Sequence, residues 1–290
     1  MTRRIIVTGA SGFIGSLVCN ALAAQGVEVH AWARGKTPSE RLHRNSKIHS
    51  HRVDIYDEAA VVAALRADPA SEMMHLAWGG LPNYMSSHHM DVELVHQLRF
   101  VRTVLDHGIT ALTQTGTCFE YGNQNGALHE EQVAQPINPY GCAKLALLRY
   151  VEFLSQEQSR DFSYKWLRLF YMYGAGQGPK SLYSSLCAAQ ARGDANFKMS
   201  TGHQIRDFSP ISDIISRIIA LHDPKIESGV YNVCSGNPIS VRQMVEQWCT
   251  ELAYDVKLDL GKMPVPNYEP LAFWGNPDRM LKALQEVDHA

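Results

Sequence analysis

One stretch constrains the fold of this 290-residue chain more than any other: Ile5-Ile6-Val7-Thr8-Gly9-Ala10-Ser11-Gly12-Phe13-Ile14-Gly15. A β-branched apolar run meets glycines at a spacing of three, and Leu17, Val18, Ala21 and Leu22 then continue at helical intervals. The pattern reads as strand, tight turn and helix, the opening of a dinucleotide-binding βαβ unit. Gly9 permits the turn, Gly12 allows the backbone to approach a pyrophosphate, and Gly15 lets helix and strand pack closely. The helix N-terminus offers free N–H groups and a positive dipole end to phosphate. Gly9, Ser11, Gly12, Phe13, Ile14 and Gly15 are therefore the first candidate cofactor contacts. The spacing is Gly-x-x-Gly-x-x-Gly, which differs from the commoner Gly-x-Gly-x-x-Gly, and glycine turns of this kind also occur without a ligand.

The length allows one large α/β unit, or a main domain with a smaller one. A net charge of −2 implies no bulk attraction to nucleic acid or anionic lipid. The six cysteines (Cys19, Cys118, Cys142, Cys187, Cys234 and Cys249) contain no Cys-x-x-Cys pair, which suits buried free thiols in a reducing cytoplasm. Arg3-Arg4 followed by apolar residues imitates a secretory signal, but Gly9, Ser11, Gly12 and Gly15 interrupt the run. No segment approaches the ~20 apolar residues of a membrane span, so a cytoplasmic protein is expected.

Val27–Ala33 reads as the second strand. A carboxylate at its end would accept an adenosine ribose 2′-hydroxyl and repel a 2′-phosphate. Ala33-Arg34-Gly35-Lys36 stands there instead, and two cations without a carboxylate favour NADP over NAD. A solvated basic turn is the plainer alternative. Further strands are expected at Ile48–Val53, Met73–Ala77 and Thr110–Thr115. A helix over Glu58–Leu65 and a long one carrying Leu94, Leu98, Val101 and Leu105 alternate with them.

Two later segments carry chemistry. Gln114-Thr115-Gly116-Thr117-Cys118-Phe119-Glu120-Tyr121-Gly122 runs off a strand, and Asn138-Pro139-Tyr140-Gly141-Cys142-Ala143-Lys144 opens a helix with Ala143, Leu147, Tyr150 and Leu154 on one stripe. Tyr140 and Lys144 lie one turn apart on one face. A Tyr-x-x-x-Lys pair alone is weak, since an exposed aromatic beside a lysine arises by chance.

In combination and in order, these motifs resemble the extended short-chain dehydrogenase/reductases, in particular their nucleotide-sugar epimerase/dehydratase branch. The likeness continues through Leu167-Arg168-Leu169-Phe170-Tyr171-Met172-Tyr173-Gly174, Gly202-His203-Gln204-Ile205-Arg206-Asp207-Phe208, Ile211-Ser212-Asp213 and Tyr231-Asn232-Val233. It implies an α/β fold, a doubly wound parallel sheet (Rossmann) with a smaller C-terminal substrate domain. The dinucleotide-binding part would span 1–170 plus a returning segment at about 203–236, and the nucleotide-sugar part 171–202 and 237–290.

The resemblance also assigns roles. Tyr140 is the general acid/base, Lys144 holds the nicotinamide ribose, and Thr117 hydrogen-bonds the reacting oxygen. Arg34, Asp54, Ile55, Leu76, Ala77 and Phe170 join the glycines along the cofactor, NADP or alternatively NAD. Arg206 faces the substrate pyrophosphate, and Lys180, at the start of a helix over 181–192, lies near the pocket. A Lys144 ammonium ~4 Å from the phenol would lower its pKa of about 10 by roughly three units before solvent screening. His203 and the pair His88-His89 show no metal-ligand spacing with a third partner, so no metal is expected.

Where the dehydratase branch has Asp-Glu after the catalytic threonine, this chain has Cys118 and Phe119, which disfavours dehydration. The expected activity is NADPH-dependent reduction of a nucleotide-linked 4-keto-6-deoxyhexose, with NAD-dependent 4-epimerisation and a non-catalytic NADP-sensing module as alternatives. Glu93 stands where the family usually has asparagine. Glu120 is expected to point to solvent, or else to pair with Lys144 or Arg168. Helices near 88–107 and 140–158 imply a homodimer by analogy.

Overall fold

The computed structural model describes residues 3–35, 39–157, 161–265 and 269–288. Seven strands form the main sheet: β1 (Arg4–Thr8), β2 (Glu28–Ala33), β3 (Ile48–Arg52), β4 (Glu72–His75), β5 (Ala111–Thr117), β6 (Ser163–Leu169) and β7 (Gly229–Val233). All pairs are parallel, in the order β7-β6-β5-β4-β1-β2-β3. Side chains alternate across each strand, so a fully covered parallel strand must be apolar on both faces. β1 obeys: Ile5 and Val7 enter one core, and Ile6 enters the other.

The first core lies under α1 (Phe13–Ala24), which supplies Val18 and Leu22. The second lies under α2 (Glu58–Ala67), α3 (Leu94–Asp106) and α4 (Pro139–Gln156), which supply Val61, Phe100 and Leu147. Asn138 starts α4 by accepting the Gly141 N–H at 2.8 Å, a cap worth roughly 1 kcal/mol. The sequence order reverses between β1 and β4, which leaves a crevice beyond their carboxyl ends where doubly wound sheets bind ligands.

A smaller region is built from a three-stranded sheet of Tyr171–Tyr173, Ile205–Pro210 and Pro238–Ser240. It carries α5 (Leu182–Arg192) and, after α6 (Ile211–Leu221), α7 (Val241–Glu251). Leu186, Phe197, Met244 and Trp248 form its core, and Ser240 with Gln243 makes the capping box of α7. The last helix, α8 (Asp278–Asp288), departs from the expected division of the chain. Its Met280, Ala283, Leu284 and Val287 pack into the first main-sheet core beside α6. The chain thus returns to the dinucleotide-binding unit at its end.

Candidate active site

The turn after β1 is built by exclusion of side chains. Gly9 has φ +68°, and a Cβ there would lie 2.9 Å from the Ala77 nitrogen; a Cβ on Gly15 would lie 2.2 Å from the Gly9 carbonyl oxygen. Gly9 therefore permits the β1–β4 approach, and Gly15 seats α1 against the turn. Gly12 is the N-cap of α1, with no capping side chain and no acidic residue in the first turn. A helix start with bare N–H groups and no carboxylate fits an anion. Ser11 and Gly12 are exposed and Phe13 and Ile14 half-buried at that mouth, so the cradle suits a dinucleotide pyrophosphate.

β2 ends at Ala33, and the exposed Arg34 guanidinium lies 4.9 Å above the Tyr56 ring. Lys36, the second expected cation, lies outside the described residues. Asp54 is exposed and accepts the Tyr56 N–H at 3.1 Å, while Ile55 is buried. Leu76 and Ala77 leave β4 half-buried beside the turn, where the Ala77 N–H donates to Thr8 Oγ1 at 3.3 Å.

Beneath this mouth runs a buried polar chain. His75 Nδ1 meets Thr8 Oγ1 at 2.6 Å, and its Nε2 meets Gln97 Oε1 at 2.5 Å. Gln97 Nε2 donates to the Ala77 carbonyl at 3.2 Å and to Glu93 Oε1 at 2.8 Å, and the Tyr56 hydroxyl donates to Glu93 Oε2. Burial pushes His75 down to about 4 and keeps it neutral. For Glu93, burial pulls towards the neutral acid, yet hydrogen bonds from Tyr56, the Gly79 backbone and Gln97 hold its pKa below the ordinary value. Glu93 is thus a buried carboxylate that ties Tyr56, under Arg34, to the Ala77–Gly79 backbone.

On the other side of the crevice, α4 presents Tyr140 and Lys144, both buried. Tyr140 is walled by Trp78, Tyr84, His89 and Phe119, with ring centroids 5.2–6.4 Å away. Thr117, at the end of β5, is a neighbour that favours the ionised form of the Tyr140 hydroxyl. The Lys144 ammonium donates to the Thr115 carbonyl at 2.7 Å and sits 3.9 Å over the Trp78 ring.

This arrangement corrects the expected electrostatics of the pair. Lys144 Nζ is 5.9 Å from the Tyr140 ring centroid. Burial drives the phenol pKa well above its ordinary value, with Tyr84, Glu120 and Cys118 adding to the rise and only Thr117 opposing it. Burial also pulls Lys144 down to about 7, against the favourable charges of Glu120 and Glu93. Burial thus favours the protonated form of the Tyr140 phenol.

Glu120 does not face solvent. It is fully buried, with Oε2 on Arg168 Nε at 2.8 Å and Oε1 accepting the Thr117 N–H and Trp166 Nε1, each at 2.9 Å. It thereby fixes the turn that carries Thr117. Arg206 is also internal: it forks onto Glu269 Oε2 at 2.7 and 3.2 Å and donates to the Ile205 and Leu271 carbonyls at 2.8 and 3.2 Å. A buried guanidinium requires such partners, so the expected role on a pyrophosphate would require the Glu269 pair to open. Asp207, its neighbour, is engaged elsewhere, by Ser235 and Gly236. Lys180 is exposed, just before the Ser181 cap of α5, and Phe170 is buried against Tyr121 and Phe273. Trp78 and Gln97 were not expected at the site from the sequence; Glu93 was noted there only as a departure from the family's asparagine.

Residues 5–234 match the family model described as NAD dependent epimerase/dehydratase family. The chain is 29% identical over 272 residues to dTDP-6-deoxy-L-talose 4-dehydrogenase (NAD(+)) of Aggregatibacter actinomycetemcomitans, covering 93% of this chain and 98% of that one. It is 24% identical over 316 residues to UDP-arabinose 4-epimerase 1 of Arabidopsis thaliana, covering 97% and 74%. Among solved structures it is similar to MoeE5 in complex with UDP-glucuronic acid and NAD, with a TM-score of 0.82, 25% identity, and coverage of 97% and 92%. A match across the glycine turn, the Thr117 turn, the Tyr140–Lys144 helix and the returning strand means that this chain belongs to the NAD-dependent epimerase/dehydratase family.

Proposed function

We propose that the chain is an NADPH-dependent reductase of a nucleotide-linked 4-keto-6-deoxyhexose. The observation that carries the cofactor choice is the end of β2, where Arg34 lies over Tyr56 and no carboxylate replaces it. A guanidinium at that place favours a 2′-phosphate. The bound dinucleotide supplies the hydride.

The chain's own residues supply the rest. Gly9, Gly12 and Gly15 with the start of α1 hold the pyrophosphate, and Lys144 holds the nicotinamide ribose. Thr117 orients the carbonyl oxygen, and Tyr140 delivers a proton to it as the alkoxide forms. A phenol kept protonated by burial suits the reducing direction, which consumes a proton at that oxygen. The Cys118 thiol beside Thr117 is pushed above its ordinary pKa by burial, so it is no acid for expelling water, and Phe119 has no proton to give. The similarity to a 6-deoxytalose 4-dehydrogenase supports a 6-deoxyhexose. The second reading, NAD-dependent 4-epimerisation, is favoured by the similarity to UDP-arabinose 4-epimerase 1. We also infer a homodimer through α3 and α4, which leave Val95 and Phe153 exposed; light scattering at twice the chain mass would support it, and at the chain mass would exclude it.

The test is a screen of NADPH and NADH oxidation against UDP-, dTDP-, CDP- and GDP-linked 4-keto-6-deoxy sugars. The reductase reading expects NADPH oxidation with at least one of them. Protein that retains NAD through gel filtration and oxidises NADPH with none would establish the epimerase reading instead.

A further inference from the structure

The far end of β2 and the edge strand β3 carry a cluster unrelated to the crevice. Register pairs His30 with His49, so Glu28, His30, His49 and His51 share one face of the strand pair, and Asp68 closes α2 beside them. His30 is buried, and its Nδ1 lies 3.0 Å from His51 Nε2. His30 Nε2 lies 3.3 Å from Glu28 Oε1, a carboxylate itself held by Arg4 Nη2 at 2.9 Å. The Asp68 carboxylate is 3.7 Å from His51 Nδ1, and the ligand atoms of His30, His51 and Asp68 all lie within 4.8 Å of one another.

We propose that His30, His51 and Asp68 form a binding site for a Zn2+-class cation, with Glu28 as the carboxylate that orients His30. Three observations carry it. First, two imidazole nitrogens 3.0 Å apart subtend about 95° at an ion with metal–nitrogen bonds of about 2.0–2.1 Å, so a slight opening reaches tetrahedral geometry. Second, a histidine ligand is held by a carboxylate on its other ring nitrogen in such sites, and Glu28 occupies that place on His30. Third, Asp68 stands at the C-terminal, negative end of the α2 dipole, which favours a cation, and its ligand oxygen lies within 4.8 Å of the ligand atoms of both histidines. Water completes the fourth position.

The test uses the full chain, stripped with a chelator and titrated with Zn2+ against a chromophoric chelator, then with Co2+ by visible absorption. One ion per chain is expected, with four-coordinate cobalt bands and no thiolate charge-transfer band. His51→Gln and Asp68→Asn, both at accessible positions, should each weaken binding by roughly tenfold or more while leaving NADPH binding and the melting transition of the metal-free protein unchanged. Absence of saturable binding, equal binding by both variants, or a thiolate band would overturn the assignment.

Discussion

Two carboxylates, Glu93 and Glu120, are fully buried and both favour the charged form of Lys144, but they are satisfied in different ways. Glu120 has a cation in contact, Arg168 at 2.8 Å, with two N–H donors besides. Glu93 is held by neutral donors, the Tyr56 hydroxyl, Gln97 and the Gly79 backbone, with no lysine or arginine in ion-pair contact among the described residues. An ion pair fixes its partners wherever it lies, and Glu120 accordingly locks the Thr117 turn to β6. A carboxylate held by dipoles instead binds those dipoles in place, and Glu93 accordingly joins the two halves of the cofactor mouth. The first is a structural device, the second a positioning one.

The largest expected effect lies on the Glu120 side. Glu120→Ala strands Arg168 as a buried unpaired charge and should cost about 3–5 kcal/mol in urea unfolding; a loss under about 1 kcal/mol would mean the pair is dispensable. Next comes Arg34, where the Glu93 chain ends. Arg34→Ala removes a charge-assisted contact of about 1.5–3 kcal/mol, so NADPH affinity should fall by ten- to a hundredfold while NADH affinity barely moves. Unchanged NADPH affinity would return Arg34 to a solvated turn.

Glu93→Gln keeps the volume but weakens the acceptor for Tyr56 and Gly79, and should cost about 1–2 kcal/mol. Its kinetic signature sharpens the contrast: KM for NADPH should rise more than kcat falls, a split that Glu120→Gln should not reproduce. Lys144 reports on both carboxylates. Its ammonium should titrate near 7 by NMR, and either Glu→Gln change should move the midpoint down, since both carboxylates favour the charged form. The unfolded chain keeps that proton to about 10.5. Between pH 7 and 10.5 the unfolded state therefore binds more protons, and stability should rise with pH relative to Lys144→Met. A flat difference would place the lysine pKa outside that window.

What the sequence revealed was local. Glycine spacing, the alternation of Ile5, Ile6 and Val7, the caps at Asn138 and Ser240, and the one-turn offset of Tyr140 and Lys144 each follow from neighbours within a few residues. The contacts that set the site's electrostatics join distant residues: Glu120 to Arg168, Glu93 to Tyr56, Arg206 to Glu269. Spacing carries no trace of such pairs. The expected depression of the Tyr140 pKa failed for the same reason, because the wall of Trp78, Tyr84, His89 and Phe119 comes from three separate segments and its burial outweighs the lysine. The α8 helix and its stripe of Met280, Ala283, Leu284 and Val287 were not read from the sequence, because the sheet that the stripe covers is distant in the chain.

The central claim is that this site delivers a hydride from an exchangeable cofactor to a sugar carbon while Tyr140 supplies the proton. The most direct measurement is mass analysis of the sugar product after turnover with NADPH carrying deuterium at the transferable position. The account predicts one deuterium per product at C4, NADP+ formed in equal amount, and both abolished by Tyr140→Phe. A product inverted at C4 with no deuterium and no net NADPH consumed would contradict it.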